Sequence, residues 1–127
     1  TSNLPNILLV NSDALLLMPK IPQEAIDYVI LNHSDPWPKK RHEKRRLTYP
    51  SFVDEYIRIL KKGGQLIFKS DNDEFSAYSF GVLSNYAFNS LIFNRDYTGN
   101  AAFDAMTEYE RKFREKNVKI KRITAEK

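Results

Sequence analysis

From Asp35 to Arg46 the chain reads Asp-Pro-Trp-Pro-Lys-Lys-Arg-His-Glu-Lys-Arg-Arg. Asp35 and Trp37 stand beside six cations, Lys39, Lys40, Arg41, Lys44, Arg45 and Arg46, with Glu43 among them. Pro36 and Pro38 restrict the backbone, so the loop is stiff and loses little entropy on ordering. A fixed carboxylate can stabilise positive charge developing on a reacting base. A flat aromatic ring can wall a pocket for an unstacked base. A basic run can follow phosphates without reading sequence. Together these residues suit chemistry on a nucleic acid. The plainer alternatives are an aspartate turn before proline, a tryptophan packed in a core, and a solvated basic surface.

The elements around this loop must position it. Residues 26–31 read as a strand buried on both faces of a parallel sheet. The loop then falls just past the strand's carboxyl end, where open α/β sheets bind ligands. Residues 6–10 predict an earlier strand, because Ile7, Leu8, Leu9 and Val10 are continuously apolar, and Asp13 follows its end. After the basic run, Thr48 is expected to cap a helix with Pro50 in its first turn. Phe52, Val53, Tyr56, Ile57 and Leu60 recur at helical spacing. Gly63 or Gly64 is expected to end that helix in a left-handed turn. Residues 65–69 read as the next strand and 73–86 as a second helix, with Phe75, Tyr78, Val82 and Leu83 inward. Residues 90–93 predict a weaker strand, and 94–106 a loop. Residues 107–116 suggest a short charged helix, and 118–125 a final strand, antiparallel at the sheet edge. Asp71 with Glu74, and Thr107 with Glu110, have capping-box spacing.

Several blocks resemble the tRNA (guanine-N7-)-methyltransferases of the bacterial TrmB type. Besides the proline-tryptophan-basic block, they are Asn11-Ser12-Asp13-Ala14, Lys61-Lys62-Gly63-Gly64, Ser70-Asp71-Asn72 and Thr107-Glu108-Tyr109-Glu110 with Phe113. They occur in the family's order across nearly the whole chain. The resemblance implies a partial class I, Rossmann-like, S-adenosylmethionine-dependent methyltransferase fold: an α/β, mostly parallel sheet flanked by helices. It implies methyl transfer from S-adenosylmethionine to N7 of a guanine in the tRNA variable loop. Asp35 takes the catalytic role and, with Asp13, contacts the cofactor. Lys39, Asp71, Thr107, Glu108, Tyr109 and Glu110 take the substrate. Arg41, His42, Glu43, Lys44, Arg45 and Arg46 take the RNA. A cytoplasmic location is implied as well.

Residues 1–127 read as one domain, the carboxyl-terminal portion of a methyltransferase domain. All four glycines lie at Gly63 or later, so the glycine-rich turn that would hold much of the cofactor is not among these residues. By themselves they are expected to be inactive. The alternative is a non-catalytic RNA-binding module derived from a methyltransferase. His33-Ser34 stands where the family has Phe-Pro, a change expected to loosen the loop before Asp35. Ser70 replaces a threonine and keeps the hydroxyl.

Composition sets the outer bounds. The chain has 127 residues, a net charge of +4 and 42% hydrophobic residues, which suits one globular domain. Six of its 20 basic residues fall between Lys39 and Arg46, so clustering says more than the total. The absence of cysteine excludes disulfides and thiolate metal sites, and suits a reducing compartment. His33 and His42 lack a partner at ligand spacing, so no metal is expected. No apolar run reaches the length of a bilayer span, so no membrane partner is expected. The sequence leaves monomer and homodimer open.

Overall fold

The computed structural model describes residues 5–98, 111–112, 116 and 118–127. Four strands form one sheet: β1 (Ile26–Asn32), β2 (Leu60–Ser70), β3 (Ser90–Asn94) and β4 (Lys121–Glu126). The spatial order is β1-β2-β4-β3. β1 and β2 are parallel, with Val29 opposite Leu66 and Leu31 opposite Phe68. β4 is antiparallel to both β2 and β3. β1, β2 and β3 therefore share one direction and β4 alone is reversed, so the sheet is mostly parallel. The last strand is antiparallel as expected, but it lies inside the sheet between β2 and β3, not at its edge.

Among the described residues the strands are accompanied by α1 (Ala14–Leu17), α2 (Pro50–Ile59) and α3 (Asp73–Leu83). In α2, Phe52, Val53, Tyr56 and Ile59 are buried. In α3, Phe75 meets Phe68 of β2 edge to face, with ring centroids 5.1 Å apart. These faces join Leu31, Leu66, Ile123 and Ala125 of the sheet in one core. Burial of this continuous apolar surface is the main force holding the helices to the sheet. No helix among the described residues is long and apolar enough to cross a membrane.

Local chemistry moved several expected boundaries. Tyr49, not Thr48, occupies the cap position of α2 and makes no side-chain cap bond. Thr48 is fully buried, and its hydroxyl shares a 2.7 Å hydrogen bond with the Ser79 hydroxyl of α3. A buried hydroxyl needs a partner, and here the partner is tertiary. α2 ends because Leu60 turns extended and enters β2 directly. Gly63 (φ +81°) and Gly64 sit in an irregularity of the β1–β2 pairing, not at a helix end. A Cβ on Gly64 would meet the Asp27 carbonyl oxygen at 2.9 Å, so only glycine fits beside β1.

Two apolar segments are more open than the periodicity suggests. Residues 7–10 form no strand; Leu8 is 87% exposed and Leu9 77%. A strand needs ladder partners, and this segment has none among the described residues. β1 lies at the sheet edge and is covered on one face only: Leu31 is buried, while Tyr28 and Ile30 are half exposed.

Candidate active site at the carboxyl ends of β1 and β2

β1 and β2 run in parallel and release their following loops at the same end of the sheet. Asp35 lies in the loop after β1 and Asp71 directly follows β2. The His33 amide donates to the Lys69 carbonyl at 2.9 Å, stitching the start of one loop to the end of the other strand. His33 adopts φ +51°, its side chain is buried, and its Nδ1 lies 3.8 Å from Asp71 Oδ1. The His33-Ser34 departure therefore does not leave this end of the loop slack.

Asp35 is exposed at the mouth of this region, and no internal ion pair holds it among the described residues. Asp71 is not the helix cap that its spacing allowed. Asn72 caps α3, accepting from the Phe75 amide at 2.8 Å. The Asp71 carboxylate is thus released from capping and stays about one-third exposed, at 31%. Its backbone carbonyl accepts from Lys121 Nζ at 3.1 Å. A cavity of about 610 Å³ opens there, lined by Asp71, Asp73, Arg95, Lys119 and Lys121. Lys121 also pairs with Asp73. Arg95 directly follows β3, Lys119 precedes β4 and Lys121 opens it; all lie far along the chain, and sequence spacing gave no signal for them.

Asp13 sits at the start of α1. Its Oδ1 accepts from the Leu15 amide at 2.9 Å, so it caps α1. It also lines a second cleft of about 330 Å³ with Leu15, Trp37, Lys44, Arg45, Leu47 and Phe52. Trp37 is a wall of this cleft rather than a core residue. It holds φ +44°, a region that bulky residues rarely adopt. His42 meets its ring edge-on at 5.5 Å, and the Arg45 guanidinium stacks over it at 5.1 Å.

The basic run is a short 3-10 helix, Lys40–Arg45, with Lys39 at its cap. Its members divide by what they touch. Lys39, Lys40, Arg41 and Lys44 are exposed. His42 and Arg45 gather on Trp37. Arg46 turns back: its Nε donates to the carbonyls of Pro36 at 3.1 Å and Trp37 at 3.2 Å. Its guanidinium also stacks 4.4 Å above the Tyr78 ring of α3. The Tyr78 hydroxyl is raised above its usual pKa, first by burial and then by the Glu43 charge; Arg46 opposes the shift. Thr107, Glu108, Tyr109 and Glu110 lie outside the described residues.

The mixed α/β sheet flanked by helices fits a partial Rossmann-like methyltransferase fold. The fold is similar to the crystal structure of an S-adenosylmethionine-dependent methyltransferase from Archaeoglobus fulgidus, with a TM-score of 0.58 at 15% identity. That match covers 93% of this chain and 66% of the other. The family model described as "Putative methyltransferase" matches residues 1–123, and the chain belongs to this methyltransferase family. Two similar relatives carry the name tRNA (guanine-N(7)-)-methyltransferase, so the resemblance read from the motifs is borne out. One, from Streptococcus mutans serotype c, is 45% identical over 128 residues; it matches 98% of this chain and 59% of its own length. The other, from Bacillus cytotoxicus, is 46% identical over 127 residues, matching 96% of this chain and 57% of its own length. The chain thus spans under three-fifths of these relatives.

Proposed function

We propose that this chain carries the substrate-facing part of a cytoplasmic tRNA (guanine-N7-)-methyltransferase. The observation that carries the reading is the joint placement of Asp35 and Asp71 at the carboxyl ends of parallel neighbours, beside exposed cations. The names of the relatives and the proline-tryptophan-basic block support tRNA as substrate.

S-adenosylmethionine, when bound, supplies an electrophilic methyl group on a sulfonium. The residues fit part of it: Asp13 and Trp37 line one cleft, offering a carboxylate acceptor for an exocyclic amine and an aromatic wall. Guanine N7 carries an in-plane lone pair, so no residue has to remove a proton before attack. Asp35 instead stabilises the positive charge that grows on the purine, or accepts from the N1 and N2 hydrogens and orients the ring. Lys39 and Asp71 hold the substrate nucleotide, and holding it in line contributes by proximity. Arg41 and Lys44 face outward and follow the tRNA phosphates. Their contribution is salt-dependent and sequence-blind.

The test is methyl transfer to unmodified tRNA by the protein expressed from its intact gene. The product nucleoside should be 7-methylguanosine by mass spectrometry. Methylation at another base, or of small molecules alone, sinks the proposal.

A further inference from the structure

We propose that Arg46 is a positioning residue: it fixes the Asp35-Pro36-Trp37 loop from behind, and it does not follow RNA phosphates. The inference rests on the reading of Asp35 as the acting carboxylate. Arg46 Nε donates to both the Pro36 and the Trp37 carbonyl, at 3.1 and 3.2 Å. Those two carbonyls belong to the peptide planes on either side of the Trp37 Cα. Holding both on one donor fixes φ and ψ of Trp37, which sits at φ +44°. A bulky residue in that region persists only where its surroundings over-determine it. Pro36 has a ring-fixed φ, so the constraint passes one residue further, to Asp35.

The other side of the guanidinium is equally engaged. It stacks 4.4 Å from the Tyr78 ring on α3, the helix that begins just after Asp71. Arg46 therefore ties the loop after β1 to the helix after β2, and so ties the element of Asp35 to that of Asp71. A phosphate ligand would present its guanidinium to solvent, as Arg41 does. Arg46 is instead half-buried. Lysine keeps the charge but has neither the planar group that stacks on tyrosine nor the fixed fork of donors.

Arg46→Lys separates the two roles in the protein expressed from its intact gene. Three readouts are taken: single-turnover methyl transfer at saturating tRNA and cofactor, tRNA affinity against salt, and hydrogen–deuterium exchange of peptides within residues 32–44. The expected result is a rate about tenfold or more lower, since small misplacement of a reacting group is costly. Exchange in the loop should be faster and the salt slope unchanged. Tyr78→Leu, which removes the stacking partner, should also speed loop exchange. An Arg46→Lys protein with wild-type rate and wild-type exchange overturns the proposal. So does an Arg46→Ala protein whose salt slope falls by about one with loop exchange unchanged, the signature of a lost phosphate contact. If the wild-type protein methylates no tRNA, the functional reading fails. The exchange measurement then still decides whether Arg46 holds the loop.

Discussion

The two ends of the sheet carry similar side chains, and at each end some meet backbone carbonyls while others stay open. At the amino end of β1, Arg58 and Lys127 are turned inward, while Lys61 and Lys62 stay exposed. Lys127 Nζ donates to the carbonyls of Ile57 at 2.6 Å and Leu60 at 2.7 Å, closing the end of α2. Arg58 donates to the Met18 and Ile21 carbonyls, both at 2.9 Å, and pairs with Glu55. At the carboxyl end Asp35, Lys39, Arg41 and Lys44 are exposed. Charges that complete the backbone's hydrogen bonds hold a fold. Charges left open beside a strand end are available to a ligand. Residue type alone does not separate these groups; the identity of the partner does.

The largest effect should come from neutralising the open carboxylate. Asp35→Asn keeps the size of the side chain and removes its charge. Single-turnover methyl transfer at saturating tRNA and cofactor should fall on the order of a hundredfold or more, as when one preorganised electrostatic partner is lost. Binding of tRNA should change far less. A wild-type rate in that assay would make Asp35 structural and shift the role to Asp71.

The matching change at the other end should destabilise without touching the chemistry. Arg58→Ala leaves two carbonyls short of a charged donor, at a cost of about 2 kcal/mol. Arg58→Lys should recover little, because a single ammonium cannot reproduce the fork. Urea unfolding monitored by circular dichroism reads the loss. Unaltered stability in Arg58→Ala would erase the contrast between the two ends.

The carboxyl end was the more legible half in sequence because its signals are local. The proline-bounded block sits within a few residues of the strand before it, and Asp71 directly follows its own strand. β1 was expected over 26–31 and spans Ile26–Asn32; spacing found Phe52, Val53 and Tyr56 on the core face of α2, but missed Ile59 and included Leu60, which belongs to β2. What failed depended on distant partners. Thr48 reads as a cap but bonds to Ser79, 31 residues away. Asp71 has capping-box spacing, yet Asn72, one residue on, takes the cap through the Phe75 amide. Residues 7–10 have a strand's composition, but composition does not supply a neighbour to pair with. Arg46 looked like one more rung of a ladder; only the folded loop shows that its donors meet Pro36 and Trp37. The Thr107–Glu110 assignment remains a proposal from resemblance.

A smaller effect is expected within the basic run itself. Arg41→Ala with Lys44→Ala should weaken tRNA binding several-fold at moderate salt. The log–log salt slope should drop by about two, roughly one for each lost phosphate contact. Unfolding should be unaffected, since both side chains are exposed. A filter-binding series across salt concentrations checks this. An unchanged slope would assign these cations to ordinary surface and leave the carboxyl end without a polyanion site.

The smallest effect sharpens the comparison between two aspartates. Asp54 is the internally engaged counterpart of Asp35. The Tyr86 hydroxyl donates to Asp54 Oδ1 at 2.8 Å and approaches the Pro50 carbonyl at 3.2 Å, pinning the segment after α3 to the start of α2. Burial, then the hydrogen bond to Asp54 and its charge, push the Tyr86 hydroxyl up to about 12 from an ordinary 10.0. The sign follows directly. Folding favours the protonated phenol, so the contribution is complete below pH 10 and fades as pH rises towards 12. The site is partly exposed, so screening keeps it small: Tyr86→Phe should cost about 1 kcal/mol or less at pH 8. Between pH 10 and 12 the wild-type protein should lose stability faster than Tyr86→Phe, and the two unfolding curves should converge. Asp54→Asn removes the charge that resists phenol ionisation, so Tyr86 should ionise at lower pH in an ultraviolet titration. Methyl transfer should be unchanged in both variants, in contrast to Asp35→Asn. Parallel pH slopes for wild type and Tyr86→Phe would mean that this bond is not formed in solution, and Asp54 would then be as open as Asp35.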